Sequence, residues 1–271
     1  QNSSRYIMAP AALWVPAFRL RGQVAHATSH QPSSREESPM KVGIVKESLP
    51  GEQRVAVVPS TVALLTKAGP EVLLEPGAGV AAGFPDEAYA GEGAKIAASR
   101  AEVLSSVDVL LQVRTLGANP EAGQADLNDM KPGLVVVGFS EPLTAKEETL
   151  ALAEKGVTLF SMELIPRITR AQSMDALSSM ATVAGYKAVL MGAMALPKMF
   201  PLMMTAAGTV AAAHVLIVGA GVAGLQAIAS ARKLGALVEA YDVRPVVKEQ
   251  VESLGAKFVD LGLETEGAED K

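Results

Sequence analysis

The stretch HVLIVGAGVAG, residues 214–224, decides the fold of this chain. It begins with a β-branched run of five residues and continues with three glycines in the spacing G-x-G-x-x-G. A helical pattern follows over Leu225–Leu234 and ends at Gly235, and a second strand pattern over Ala236–Tyr241 ends at Asp242. This order of elements predicts a βαβ unit that binds a dinucleotide: a strand, a glycine-rich turn, a helix, a second strand and a terminal acid.

The glycine spacing has a physical reason. Gly219 permits the tight turn, Gly221 lets a pyrophosphate approach the backbone, and Gly224 lets the helix pack close to the strand. The helix N-terminus then offers N–H groups and a positive partial charge to the phosphates. The alternative interpretation is a glycine-rich turn that binds no ligand.

Asp242, 18 residues beyond the last glycine, indicates which nucleotide is bound. A carboxylate at this position accepts hydrogen bonds from the adenosine ribose hydroxyls and repels a 2′-phosphate, which favours NAD(H) over NADP(H). Arg244 lies two residues on and weakens that preference slightly. The predicted cofactor-binding residues of this unit are Gly219, Ala220, Gly221, Val222, Gly224, Asp242, Val243 and Arg244.

Composition excludes several classes of site. The 271 residues include no cysteine, which excludes disulfides, thiolate metal sites, iron–sulfur clusters and a cysteine nucleophile. The histidines are His26, His30 and His214, so a histidine base would have to be one of these three. A net charge of −5 without a basic run is typical of proteins that do not bind nucleic acid. We predict no metal site.

Strand and helix patterns alternate upstream of the glycine turn, from Met40 onward. The runs Val107–Val113 and Leu134–Phe139 are continuously apolar, as in strands covered on both faces. A helix is predicted over Ser60–Ala68, with Ser60 as its N-cap. The alternation predicts an α/β fold with two doubly wound parallel-sheet (Rossmann-like) domains joined by a long helix, the second domain truncated. The predicted segments are a disordered leader (1–39), an N-terminal α/β domain (40–173), a linking helix (174–198) and an incomplete NAD-binding domain (199–271).

Residues 1–39 differ from the rest of the chain, with four arginines against two glutamates and prolines within an apolar stretch. They resemble either a transit peptide or a secretory signal with Ala25-His26-Ala27 as a cleavage-like site. A third interpretation, an unstructured leader or sequence read through before a start at Met40, is favoured because Met40 directly precedes the first strand pattern.

Residues 199–231 contain no Asp, Glu, Lys or Arg over 33 residues, a length that fits a membrane span. Pro201 and Gly208 interrupt this stretch, and the glycine-rich turn occupies its second half. The stretch is therefore predicted to be a loop, a five-residue strand and a helix, with no insertion into a membrane.

A second polar cluster precedes the longest helical pattern, residues 174–196. Arg167, Arg170, Gln172 and Asp175 lie within nine residues of an otherwise apolar segment. They are candidates for a binding site. In the alternative interpretation, Asp175 caps the helix and the arginines are solvated.

These motifs resemble one family. Arg170-Ala-Gln-Ser-Met-Asp175 is similar to the characteristic loop of the NAD(H)-binding component of proton-translocating nicotinamide nucleotide transhydrogenase, in the superfamily that also contains alanine dehydrogenase. The resemblance runs from Met40 to about Lys257. Further matching motifs are Lys46-Glu-x6-Arg54-Val-Ala56, Ala184–Lys187, Thr205–Thr209 and Val218–Gln226.

The two relatives in this superfamily differ in their chemistry. The resemblance implies that an alanine dehydrogenase would carry a lysine near residue 112 and a histidine near residue 138. This chain has Gln112, and no histidine lies between His30 and His214. Oxidative deamination needs a group that manages protons, whereas direct hydride transfer between two nicotinamide rings needs orientation and exclusion of water. The transhydrogenase is therefore favoured over an alanine dehydrogenase or a non-catalytic nucleotide-binding fragment.

The resemblance also implies residue roles and partners. Arg167 would hold the nicotinamide carboxamide, Gln172 would reach toward the second nucleotide, and Asp175 and Ser178 would anchor the nicotinamide and its ribose. Arg167, Gln172 and Asp175 are thus the candidate catalytic residues, in positioning roles. NADP(H) would bind a partner component, and the other expected partners are a membrane component and a second copy of the chain. The expected location is the cytoplasmic side of a bacterial inner membrane, or the mitochondrial matrix side if residues 1–39 are a transit peptide.

Overall fold

The structure, a computed structural model, describes residues 39–262, and these divide between Ala176 and Leu177 into two compact units. The predicted leader lies outside the described residues apart from Pro39. The predicted boundaries at 173 and 198 remain predictions. In the observed division, the long helix belongs to the second unit except for its first residue.

The first unit is an α/β sandwich around one parallel sheet of six strands in the order β3-β2-β1-β4-β5-β6. Its strands are β1 (Lys41–Ile44), β2 (Glu71–Leu74), β3 (Lys95–Ile96), β4 (Val109–Arg114), β5 (Val135–Phe139) and β6 (Thr158–Ser161). Its helices are α1 (Pro59–Ala68), α2 (Asp86–Gly91), α3 (Arg100–Ser106), α4 (Pro120–Asp129) and α5 (Lys146–Glu154). The strand order reverses between β1 and β4, so this sheet is doubly wound as predicted.

The apolar runs of the sequence form the core of the first unit. Leu110 and Leu134, on β4 and just before β5, are fully buried together with Leu104 and Leu152 from the flanking helices. The predicted strands over 107–113 and 134–139 are thus confirmed to within two residues. The predicted cap of α1 was wrong: Pro59 occupies the first helical turn and Val58 is the N-cap, because proline is preorganised for that position. Gly69 ends α1 in a left-handed conformation, with φ of 116°.

The second unit contains a parallel sheet of three strands in the order β11-β10-β9. Its elements are α6 (Ala176–Ala195), β7 (Met203–Thr205), β8 (Gly208–Val210), β9 (His214–Val218), α7 (Val222–Lys233), β10 (Leu237–Tyr241), α8 (Lys248–Ser253) and β11 (Lys257–Phe258). Strands β7 and β8 form an antiparallel hairpin that was not predicted from the sequence. The core includes Val189, Phe200, Ile228 and Val251.

Within residues 39–262, no helix is both long enough and apolar enough to cross a membrane. The uncharged stretch of residues 199–231 is divided among the β7–β8 hairpin, β9 and most of α7. The helix predicted over 225–234 begins three residues earlier, at Val222, so Gly224 lies inside its first turn.

Candidate functional site

The turn between β9 and α7 has the geometry that its glycines predict. Gly219 is in a left-handed conformation with φ of 95°, and its N–H donates to the carbonyl of Tyr241 at 2.7 Å, which ties the turn to β10. A Cβ on Gly224 would collide with the carbonyl oxygen of Gly219. These two positions therefore require glycine for backbone reasons alone.

The N-terminus of α7 is open to a ligand. Gly221 is the N-cap, no side chain caps the helix there, and a Cβ on Gly221 would meet no described atom within 4 Å. The first-turn N–H groups of a helix carry positive partial charge and lack partners within the helix. The turn thus fits a phosphate group held by backbone N–H donors, with Val222 exposed beside it and Ala220 buried beneath.

Asp242 closes the same turn from the end of β10. Its Oδ2 accepts the N–H of Ala220 at 2.7 Å, and its Oδ1 accepts the N–H of Arg244 at 2.9 Å. The Arg244 guanidinium donates to both oxygens, through Nε at 3.1 Å and through its second terminal nitrogen at 3.3 Å. The hydrogen bond from the Arg244 side chain lowers the pKa of Asp242 to about 2, and the backbone donors act in the same direction against burial.

The Arg244 guanidinium bonds to both oxygens of the carboxylate that would receive ribose hydroxyls. Val243, between the two charged residues, is exposed. A ribose diol on Asp242 would therefore share or displace the Arg244 bonds, while the Ala220 bond holds the carboxylate in place. The structure thus joins Ala220, Asp242 and Arg244 into one hydrogen-bonded cluster. The sequence alone indicates only that Asp242 and Arg244 are near each other.

The other predicted residues lie in the first unit, apart from Ser178. A 3-10 helix over Thr169–Met174 contains Gln172, and its only buried side chain is Ala171. Arg167 and Gln172 are exposed, and the N–H of Asp175 donates to the carbonyl of Gln172 at 3.2 Å. Asp175 precedes α6 and does not lie in its first turn, because that helix begins at Ala176. We call residues 166–175 the polar loop.

Ser178 lies in the first turns of α6 and is partly buried, and its carbonyl accepts the Thr182 hydroxyl at 3.1 Å. The predicted site residues thus form two groups, one around Asp242 and one in the polar loop, with Ser178 just after the loop.

Two carboxylates in the first unit were not predicted from the sequence. Glu47, three residues after β1, accepts the N–H groups of Val113 and Arg114 at 2.7 and 3.0 Å. Glu163, two residues after β6, accepts the N–H groups of Ser140 and Glu141, each at 2.8 Å. The available signal was an acid that closely follows a short β-branched, apolar run, since parallel α/β sheets gather polar groups at the carboxyl ends of their strands.

Two family models match the chain. The model described as "Alanine dehydrogenase/PNT, N-terminal domain" matches residues 43–184, and "Alanine dehydrogenase/PNT, C-terminal domain" matches residues 188–269.

Individual relatives agree with the family models. The chain is 50% identical over 222 residues to an NAD(P) transhydrogenase subunit alpha protein of Rhodospirillum rubrum, covering 82% of this chain and 58% of that protein. A transhydrogenase crystal structure from Sinorhizobium meliloti superposes with a TM-score of 0.76 at 48% identity, covering 82% of this chain and 62% of that one. Alanine dehydrogenase of Mycobacterium tuberculosis is 30% identical over 228 residues, covering 81% of this chain and 57% of that protein. The chain thus spans less than two thirds of the length of these relatives.

Proposed function

Since the chain belongs to the alanine dehydrogenase/PNT family, we propose that it is the NAD(H)-binding component of a proton-translocating transhydrogenase. In this reaction a hydride passes between NADH and NADP⁺ while partner components translocate protons. The observation that carries the proposal is the identity of 50% to a transhydrogenase subunit over 82% of the chain, against 30% to an alanine dehydrogenase. The chemistry of residue 112 supports it, since Gln112 in β4 supplies an amide where deamination would need a proton-transferring group.

The second unit binds NAD(H) in preference to NADP(H). The backbone N–H groups at Gly221 and Val222 hold the pyrophosphate, and Asp242 accepts the adenosine ribose hydroxyls. The low pKa of Asp242 keeps this carboxylate charged at neutral pH, so a 2′-phosphate is repelled. Val243 and Arg244 complete the adenosine end of the site.

The polar loop positions the nicotinamide end. NADH supplies the hydride when it is bound, and the residues of this chain orient the nicotinamide ring and exclude water. Arg167 holds the carboxamide, Asp175 and Ser178 anchor the nicotinamide and its ribose, and Gln172 reaches toward the second nucleotide. An amide suits that role because it both donates and accepts hydrogen bonds without adding charge.

The remaining components follow from the same proposal. NADP(H) binds a partner component, a membrane component carries the protons, and the NAD(H)-binding chain works as a homodimer. The chain lies at the membrane surface on the cytoplasmic side of a bacterial inner membrane, or on the matrix side if residues 1–39 direct it to mitochondria.

Reconstitution tests this proposal. We expect the whole protein to bind NADH more tightly than NADPH and, with the NADP(H)-binding component added, to transfer hydride from NADH to NADP⁺, with NADPH formation measured by rapid quenching and chromatography. Alanine and NAD⁺ together should yield no NADH. Alanine-dependent NADH formation would identify an amino-acid dehydrogenase, and tight NADH binding without transfer would leave a non-catalytic nucleotide-binding module.

A further inference from the structure

Glu163 links the ends of two strands to the base of the polar loop. Its Oε1 accepts the N–H groups of Ser140 and Glu141, both at 2.8 Å, just beyond the end of β5. Its Oε2 accepts the hydroxyl of Ser161, the last residue of β6. One carboxylate thus ties the carboxyl ends of two neighbouring strands together.

The tie extends to a third strand through a hydroxyl pair. Ser140 is buried, and its Oγ lies 2.6 Å from Oγ1 of Thr115, the residue that follows β4. The N–H of Thr115 donates to the carbonyl of Phe139 at 2.9 Å. The ends of β4, β5 and β6 therefore share one hydrogen-bond network, which we call the Glu163 clamp: Thr115, Ser140, Glu141, Ser161 and Glu163.

The clamp holds a strained backbone. Glu141 has φ of 48°, and it is the one residue other than glycine with positive φ among residues 39–262. Such a conformation is unfavourable for a residue with a Cβ and persists when the surroundings fix it. The bond from the Glu141 N–H to the Glu163 carboxylate is one such constraint, and the Glu141 carbonyl is fixed in turn by the N–H groups of Thr144 and Ala145.

Burial opposes the charge on Glu163, but the Ser161 hydroxyl and the backbone N–H groups outweigh it and hold the pKa of this carboxyl below its usual range. The clamp is therefore charged near neutral pH, and charge-assisted hydrogen bonds are stronger than neutral ones.

The polar loop begins three residues after Glu163. The short segment between them contains a 3-10 helix, Met162–Leu164, whose Met162 side chain is buried. Arg167 and Gln172, by contrast, are exposed farther along the loop. Along the chain, Leu164 and Ile165 alone separate Glu163 from the polar loop.

We propose that Glu163 is a positioning residue for hydride transfer, acting through the polar loop that carries Arg167, Gln172 and Asp175. This inference rests on the proposed function. A shift of about 1 Å in a group that orients the reacting atoms costs on the order of 10²-fold in rate, whereas ground-state binding spread over the whole nucleotide changes less.

Three variants of the whole protein test the proposal. Glu163→Ala removes both acceptor atoms. Glu163→Gln keeps one oxygen for the two backbone N–H groups and places its amide nitrogen beside the Ser161 hydroxyl, which also accepts hydrogen bonds. Glu147→Ala, at an exposed carboxylate in the first turn of α5, is the matched control.

We expect Glu163→Ala to lower single-turnover hydride transfer in the reconstituted complex by at least about tenfold and to change NADH affinity by less than about threefold. Glu163→Gln should restore transfer to within about threefold of wild type, and Glu147→Ala should match wild type. Amide hydrogen exchange on the nucleotide-free protein should be faster at residues 140–141 and 167–175 in Glu163→Ala alone.

The exchange measurement tests whether Glu163 holds the polar loop, and the transfer measurement tests whether that matters for the reaction. Unchanged exchange at residues 167–175 in Glu163→Ala would overturn the proposal, as would Glu163→Gln transferring hydride as poorly as Glu163→Ala. If the wild-type complex transfers no hydride, the proposed function fails, and positioning for transfer fails with it. The exchange comparison still shows in that case whether Glu163 holds the loop.

Discussion

Glu47 in the first unit and Asp242 in the second are carboxylates in nearly the same setting with opposite acidities. Each is 9% exposed, lies just beyond the carboxyl end of a parallel strand, and accepts two backbone N–H groups. Burial raises the pKa of Glu47 to about 7 against the two backbone bonds that lower it. The hydrogen bond from Arg244 lowers the pKa of Asp242 to about 2.

Burial outweighs the two backbone donors at Glu47, whereas the guanidinium of Arg244 outweighs burial at Asp242, and this decides the charge at the two sites. The arginines near Glu47 are engaged by other carboxylates. Arg54 donates to Glu52 at 2.6 and 2.8 Å, and Arg100 contacts two further carboxylates, Asp126 at 2.6 Å and Glu75 at 2.8 Å. Asp242 has the guanidinium of Arg244 beside it and keeps its charge, which is what the proposed contact with a ribose requires.

The pH dependence of stability should show this contrast most strongly. Because the pKa of Glu47 is raised, its contribution to stability is fully present below about pH 4.5 and is lost as pH rises through about 7. The loss amounts to about 3 kcal/mol at most. We expect Glu47→Gln to remove this decline when urea denaturation is followed by circular dichroism between about pH 5 and 8.

The matched control for this experiment is Glu154→Gln, at an exposed position of α5. A wild-type stability that stays constant over the same pH range would show that Glu47 is charged throughout, like Asp242. The comparison between the two carboxylates would then be wrong.

A change in the polar loop should lower the rate of hydride transfer with little effect on NADH binding. We expect Gln172→Asn to leave NADH affinity within a few-fold and to lower the single-turnover rate in the reconstituted complex on the order of 10²-fold, because the shorter side chain withdraws the amide by about 1 Å. Titration measures the affinity, and rapid-quench transfer on the same preparation measures the rate. An unchanged transfer rate would remove Gln172 from the site.

A change at the adenosine end of the site should instead alter nucleotide affinity. Asp242→Asn keeps an oxygen for one backbone donor and removes the charge. We expect NADH affinity to fall and the preference for NADH over NADPH to narrow by about tenfold, the scale of one charge-assisted hydrogen bond. Calorimetric titration with both nucleotides measures it. Equal affinities of the wild-type protein for the two nucleotides would contradict the role given to Asp242.

The smallest effect concerns two glycines of α6. A Cβ on Gly185 would collide with the backbone carbonyl of Ala223 in α7, whereas a Cβ on Gly192 would meet no described atom within 4 Å. Gly185→Ala should therefore lower the free energy of unfolding by about 1–3 kcal/mol, and Gly192→Ala should raise it by up to about 1 kcal/mol. Thermal denaturation of both variants measures the difference, and equal shifts would show that the two helices are not in close contact there.

Local structure could be predicted from the sequence to a large extent. The glycine turn, the strand before it and the strand after its helix were all predicted within a residue or two. Gly69 and Gly235 end helical segments in left-handed conformations, as their positions suggested. Short elements were missed, among them β3 and the β7–β8 hairpin, because two or three residues carry too little periodicity to distinguish a strand from a loop.

The sequence by itself determined that a glycine-rich turn follows a strand and that an acid, Asp242, ends the next strand, since these features depend on local patterns along the chain. Tertiary structure alone decided the strand order of the first unit and the partners of its carboxylates. Glu47 finds its donors 66 and 67 residues away, and Glu163 finds its donors 22 and 23 residues away. Such pairs form when strands distant in sequence become neighbours, and neither hydrophobic periodicity nor spacing along the chain records which strands those are.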